Sequence, residues 1–147
     1  MAADPVIRFT DVSKTFRRPD GRGDFVAVDK LSFEVGKGEI VAVLGKTGCG
    51  KSTMFNIVSG LIEPTSGEAR VVGHDPFREF DFFRGKIGIV FQNDRLMPWR
   101  SALDNVRLGL QILDRDARET AENARAWLKR LGLSGHEKDY LHALSGG

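Results

Sequence analysis

Residues 45–52 read Gly-Lys-Thr-Gly-Cys-Gly-Lys-Ser, the pattern G-x4-G-K-[ST], and they constrain the fold more than any other stretch. Residues 40–44 precede them as a β-branched and aliphatic run, the pattern of a strand buried on both faces. Residues 51–62 follow at helical length. Gly45, Gly48 and Gly50 free the backbone to turn its N–H groups inward, and a helix beginning near Lys51 adds the positive end of its dipole. Such a cradle suits phosphate oxygens. The candidate contacts are Gly45, Lys46, Thr47, Gly48, Cys49, Gly50, Lys51, Ser52 and Thr53. In that role Lys51 reaches the β- and γ-phosphates and Ser52 ligates Mg²⁺. The plain alternative is a tight strand–helix turn with no ligand.

The remaining pattern is α/β with extra strands. "VIRFTDV" and "VAVDKLSFEV" alternate as strands do, with turn residues between them. "EARVV" reads as a short strand, "FREFDFFRGK" as a short helix, and "IGIVF" as a second buried strand. Phe77, Phe80, Phe82 and Phe83 are assigned mainly to the core. Ser101 opens a helix with Asp104 three residues later, a capping pair. From Asp116 onward Ala117, Ala121, Ala124, Leu128 and Leu131 share one helical face, closed by Gly132.

Composition narrows the function classes. Apolar residues make up 41% of 147, enough for a packed core, and the formal net charge of +2 comes from interspersed acids and bases. No one-sided basic stripe marks a nucleic-acid face. One cysteine forms no internal disulfide, which suits a reducing compartment. The histidines lack zinc spacing. No apolar run is long enough to span a bilayer, so any membrane role comes through a partner.

Ordered pieces along the whole chain extend the phosphate-loop reading: "VSKTF", "GEIVAVLGKTGCGKST", "GLIEPTSGEARVVG", "IGIVFQ" and "LSGG". Together they resemble the ATP-binding subunits of ABC transporters. "FQNDRLMPWRSALDNVRLGL" is similar to the importer ATPases of the nitrate, sulfonate and taurine group. The resemblance implies a P-loop NTPase fold of ABC ATPase type, with an antiparallel β subdomain and a helical subdomain. Residues 1–92 would hold the phosphate loop and part of the β subdomain, and 93–147 the helical part up to the signature.

By the same resemblance Phe16 stacks on adenine, and Gln92 is the Q-loop glutamine that touches Mg²⁺ or the attacking water. Ser145, Gly146 and Gly147 of the signature contact ATP held by a second copy. The implied cofactors are ATP and Mg²⁺. The implied partners are a second ATP-binding subunit, transmembrane permease subunits and, indirectly, a substrate-binding protein, at the cytoplasmic face of the membrane. Leu96, Met97, Pro98 and Trp99 are either the groove for a membrane subunit or local packing. A full family member continues past LSGG into a Walker B strand and a switch histidine, and this chain reads as its first part, with the C-terminal part of the core missing. Two functions are therefore expected: the ATPase of an anion importer, or a non-catalytic remnant that binds nucleotide weakly or not at all.

Overall fold

The computed structural model describes residues 4–18, 21, 23–93 and 95–143, and they fall into two compact units divided between Arg84 and Gly85. The first unit is built on a three-stranded antiparallel sheet in the order β2-β1-β3, with β1 at Ile7–Arg17, β2 at Asp24–Val35 and β3 at Ser66–Val71. β1 is the central strand: Phe9 faces Phe33 of β2 on one side and Ala69 of β3 on the other. Strict alternation would send Phe9 and Val12 to opposite faces. An irregularity in both ladders between them, with Asp11 at a φ of 47°, returns both to the core face. The would-be Cβ of Gly67 lies 2.2 Å from the Asp11 carbonyl oxygen, so β3 can approach this bulge only as glycine.

Helix α1 spans Lys51–Val58 and lays Met54 and Ile57, one turn apart, onto Phe9, Val12 and Ala69. The helix is shorter than its apolar pattern suggests. The Gly60 amide donates to the Ile57 carbonyl and the Leu61 amide to the Asn56 carbonyl, with Gly60 at a φ of 72°; this is a Schellman stop. A 3-10 turn at Phe80–Phe83 follows β3. Only Phe83 of the four phenylalanines assigned to the core is buried; Phe77, Phe80 and Phe82 are exposed. A turn of four residues gives only one position that faces inward, and Phe82 instead stacks on the His74 ring at 3.7 Å.

The second unit pairs α2 (Ala102–Ile112) with α3 (Ala117–Arg130). Ser101 caps α2 by accepting from the Asp104 amide at 3.2 Å. Its hydroxyl also donates to the Asp104 carboxylate at 2.9 Å. Asp116 caps α3 by accepting from the amides of Arg118 and Glu119. The buried face of α3 is Thr120, Ala124 and Leu128, while Ala117 and Leu131 are exposed. The apolar stripe expected there is thus rotated by about one position toward Thr120, whose hydroxyl is satisfied by the Asp116 carbonyl at 2.6 Å. Gly132, at a φ of 76°, ends the helix in a second Schellman geometry.

Two expected strands do not form. Residues 40–44 and 87–91 enter no ladder among the described residues. Ile40 is 97% exposed, Leu44 91% and Val90 100%, where burial on both faces was expected. An apolar, β-branched run becomes a strand only when a neighbour takes its N–H and C=O groups, and no described strand does so.

Candidate functional site

The glycine-rich loop leaves residue 44 and turns tightly onto α1. The Cys49 amide donates to the Lys46 carbonyl at 3.3 Å, with Gly48 at a φ of 82° in the position that a type II turn reserves for glycine. Gly50 caps α1 at a φ of 93° without any side-chain bond. A Cβ on Gly50 would lie 2.2 Å from the Ala27 carbonyl oxygen of β2, so the end of the loop is seated directly against the sheet. The first turn of α1 carries no acidic residue, which leaves its amide ends and dipole uncompensated.

Lys51 folds back into the loop. Its ammonium donates to the Gly45 carbonyl at 2.6 Å and to the Lys46 carbonyl at 2.8 Å, and lies 3.6 Å from the Cys49 sulfur. The same sulfur would stand 2.5 Å from a Cβ on Gly45, so that glycine admits the Cys49 side chain. Cys49 itself is exposed. Ser52 is exposed at the start of α1, and Thr53 is half-buried. A cavity of about 280 Å³ lies between this loop and β2, lined among others by Ala27, Asp29, Leu44 and Lys51. The donor set fits a phosphate chain: one ammonium, a hydroxyl and an uncompensated helix end. The Ser52 hydroxyl is also a hard oxygen donor of the type Mg²⁺ accepts.

The other candidates are dispersed. Phe16 stands 40% exposed near the end of β1 opposite Phe25, with the Lys14 ammonium 5.3 Å from its ring centroid. Gln92 is exposed and belongs to the second unit. Ser145, Gly146 and Gly147 lie outside the described residues. Of the apolar group after Gln92, Met97 is half-buried, and Leu96, Pro98 and Trp99 are exposed.

One residue to which the sequence analysis assigned no role is Asn105, on the first turns of α2. Its Oδ1 accepts from the Met97 amide at 2.7 Å. Its Nδ2 lies within 3.1–3.2 Å of the carbonyls of Met97, Arg100 and Ser101. Asparagine so near a capped helix start usually reads as a solvated residue, and the signal that could have found it is the L-x-N-V run at residues 103–106, inside the stretch similar to the importer ATPases.

The architecture is that of an ATP-binding cassette. Two solved structures of one such protein superpose closely. In a dimer described as a post-hydrolysis state bound to ADP and Pi, the TM-score is 0.82 at 31% identity over 95% of this chain and 63% of that one. In a second dimer, described as a bacterial ABC transporter cassette, the values are 0.80 and 32% over the same shares. Residues 28–147 match the ABC transporter family, and the chain belongs to it. The taurine import ATP-binding protein TauB of Escherichia coli (strain K12) is 36% identical over 121 residues, 82% of this chain and 46% of that protein. TauB of Pseudomonas aeruginosa is 43% identical over 117 residues, 80% and 43% of the two chains. An ABC transporter ATP-binding protein of Mycobacterium tuberculosis is 34% identical over 152 residues, 100% of this chain and 60% of that one. The chain thus spans about half the length of the curated relatives it matches. No helix among the described residues is long and apolar enough to cross a membrane.

Proposed function

We infer that this chain binds the phosphates of ATP at residues 45–53 and serves as the nucleotide-binding part of an importer ATPase for a small anion, of the taurine, sulfonate or nitrate type. The observation that carries the reading is the loop itself. Gly50 locks it against Ala27, Gly48 turns it, and the Lys51 ammonium is already inside it on the carbonyls of Gly45 and Lys46. Lys51 then neutralises phosphate charge, the backbone amides of the loop position the oxygens, and Ser52 and Gln92 would hold Mg²⁺, which supplies further charge neutralisation when bound. Phe16 offers an exposed ring for the adenine. Ser145, Gly146 and Gly147 would reach ATP on a second copy. The exposed Leu96, Pro98 and Trp99 offer an apolar surface to a transmembrane permease subunit at the cytoplasmic side, with the substrate-binding protein acting through that subunit. The names of the taurine import relatives support the anion class.

The exposed runs at 40–44 and 87–91 favour a second reading, a remnant that holds nucleotide weakly and turns none over. Titration with a fluorescent ATP analogue, followed by a steady-state phosphate-release assay, separates them. Saturable binding at least about tenfold weaker in Lys51→Ala is expected for the phosphate role. Lys51-dependent turnover supports the ATPase, and binding without turnover supports the remnant. Affinity unchanged by Lys51→Ala rejects the phosphate role itself.

A further inference from the structure

We propose that Asn105 is a positioning residue that holds the apolar loop after Gln92 and the segment running into the terminal LSGG as one hydrogen-bonded unit around the start of α2. The importance of that union for transport rests on the reading of Gln92 and LSGG given above; the geometry does not.

Two networks meet at Ser101. On one side, the Asn105 carboxamide uses its acceptor on the Met97 amide and spreads its two N–H donors over the carbonyls of Met97, Arg100 and Ser101. The Arg100 amide closes the same turn on the Met97 carbonyl at 3.0 Å. Leu96, Pro98 and Trp99 are therefore carried on a turn whose polar backbone is satisfied from α2, with Trp99 72% exposed at its tip. On the other side, the amides that any helix leaves unpaired at its start are taken by the chain that leads to residue 141. The Ala102 amide donates to the Asp139 carbonyl at 2.8 Å, and the Leu103 amide donates to the Glu137 carbonyl at 3.0 Å. Ser101 and Tyr140 form an antiparallel bridge. The Gly135 amide and the Glu137 carboxylate, 3.2 Å apart, stiffen that segment further.

A side-chain bond from Asn105 and a backbone bond to Asp139 thus meet on one peptide group, that between Ser101 and Ala102. The Ser101 carbonyl takes an Asn105 N–H while its neighbour, the Ala102 amide, is held by Asp139. A displacement of the Trp99 turn pulls on the same peptide that anchors the other segment. Ser101 cannot follow one side and stay with the other without breaking a bond.

The test is residue-resolved amide hydrogen exchange on the 147-residue chain, which needs neither nucleotide nor turnover and so can fail while the ATP reading stands, or succeed while it falls. In Asn105→Ala the amides of Met97 and Arg100 should exchange faster. The amides of Ala102 and Leu103, which Asn105 does not touch, should also accelerate about five- to tenfold, the factor expected for one ordinary hydrogen bond. Ala124 and Leu128 in α3 should keep their rates. Acceleration confined to Met97 and Arg100 would overturn the proposal, because Asn105 would then be a local turn residue. If Asn105→Ala opens α3 as well, Asn105→Asp decides. It keeps the acceptor for Met97 and sets a carboxylate oxygen against three carbonyls. Faster Ala102 and Leu103 with α3 unchanged supports the union; unchanged Ala102 and Leu103, or an even acceleration across α3 in both variants, refutes it.

Discussion

β1 is paired along both edges, whereas residues 40–44, which lead into the phosphate loop, are paired along neither. The difference runs against their chemistry. β1 carries Arg8, Thr10, Asp11, Ser13, Lys14 and Thr15 among its apolar residues, and residues 40–44 carry none of these. β1 holds because Ile7, Phe9 and Val12 bring its core face onto Met54 and Ile57 while β2 and β3 take its backbone groups. Residues 40–44 offer the better apolar surface, and no strand among the described residues pairs with them. Residues 87–91 repeat the case in the second unit. Side-chain pattern states which face a strand would bury, and a ladder forms only where a second backbone is supplied from elsewhere in the fold.

Four measurements test this contrast, from the largest expected effect to the smallest. Ile57 is fully buried on the laddered sheet, so Ile57→Ala should destabilise the chain by about 2–5 kcal/mol in denaturant unfolding followed by circular dichroism. A loss well under that range would mean that the sheet and α1 are not the stabilising core. Val72 occupies the first central position of a two-residue turn between Val71 and His74, with Val72 and Gly73 at φ of 50° and 80°. This is the type I′ geometry, in which a β-branched residue is strained and asparagine is at ease. Val72→Asn should therefore stabilise the chain by about 1 kcal/mol, read from the same unfolding curves. An unchanged or lowered midpoint would show that the turn relaxes around valine.

Ile40→Lys replaces one of the most exposed aliphatic side chains of the unpaired run. It should alter unfolding by less than about 0.5 kcal/mol while reducing self-association in sedimentation or light scattering. A core-sized loss there would break the contrast outright. The last effect is purely local. The amides of Glu119 and Arg118 hold the Asp116 carboxylate below its usual range. Its folded value is depressed, so its support of α3 is complete above the ordinary value of about 3.9 and is lost as pH falls through the lower folded value. Hydrogen exchange of Arg118 and Glu119 should accelerate over that acid range in the native chain. In Asp116→Ala the two amides should already be fast at neutral pH and show no such step. Identical pH profiles in the two chains would remove Asp116 as the cap.

The parts of the fold that were legible before the structure are those decided within a few residues. The Ser101 and Asp116 starts, the Gly132 stop of α3 and the tight loop at 45–52 depend on capping atoms and φ values that neighbouring residues specify, whereas the Gly60 stop of α1 was not foreseen in a pattern that stays helical to residue 62. The strand alternation of β1 was legible in the same way, but its bulge at Asp11 was not, because it answers to β2 and β3 together. Phe77, Phe80 and Phe82 misled for a related reason: aromatic density suggests a core, but of the turn Phe80–Phe83 only Phe83 is buried, and Phe77, outside that turn, is exposed as well. At the site, the residues of the loop could be named, yet the contact between Gly50 and the Ala27 carbonyl could not, since it joins positions far apart in the chain. Asn105 was silent in the sequence, because its four side-chain partners are all backbone atoms and leave no trace in side-chain chemistry.

The posture of Lys51 has an ionic consequence. Its ammonium is already engaged by the carbonyls of Gly45 and Lys46, so the loop at rest holds its cation on its own backbone. On the proposed reading, a phosphate chain entering it would perform an exchange, with the lysine swinging its donors from oxygen atoms of the protein to oxygen atoms of the guest. The gain on admission would then be the difference between two sets of contacts with the same cation, which would favour guests carrying several negative charges over those carrying one.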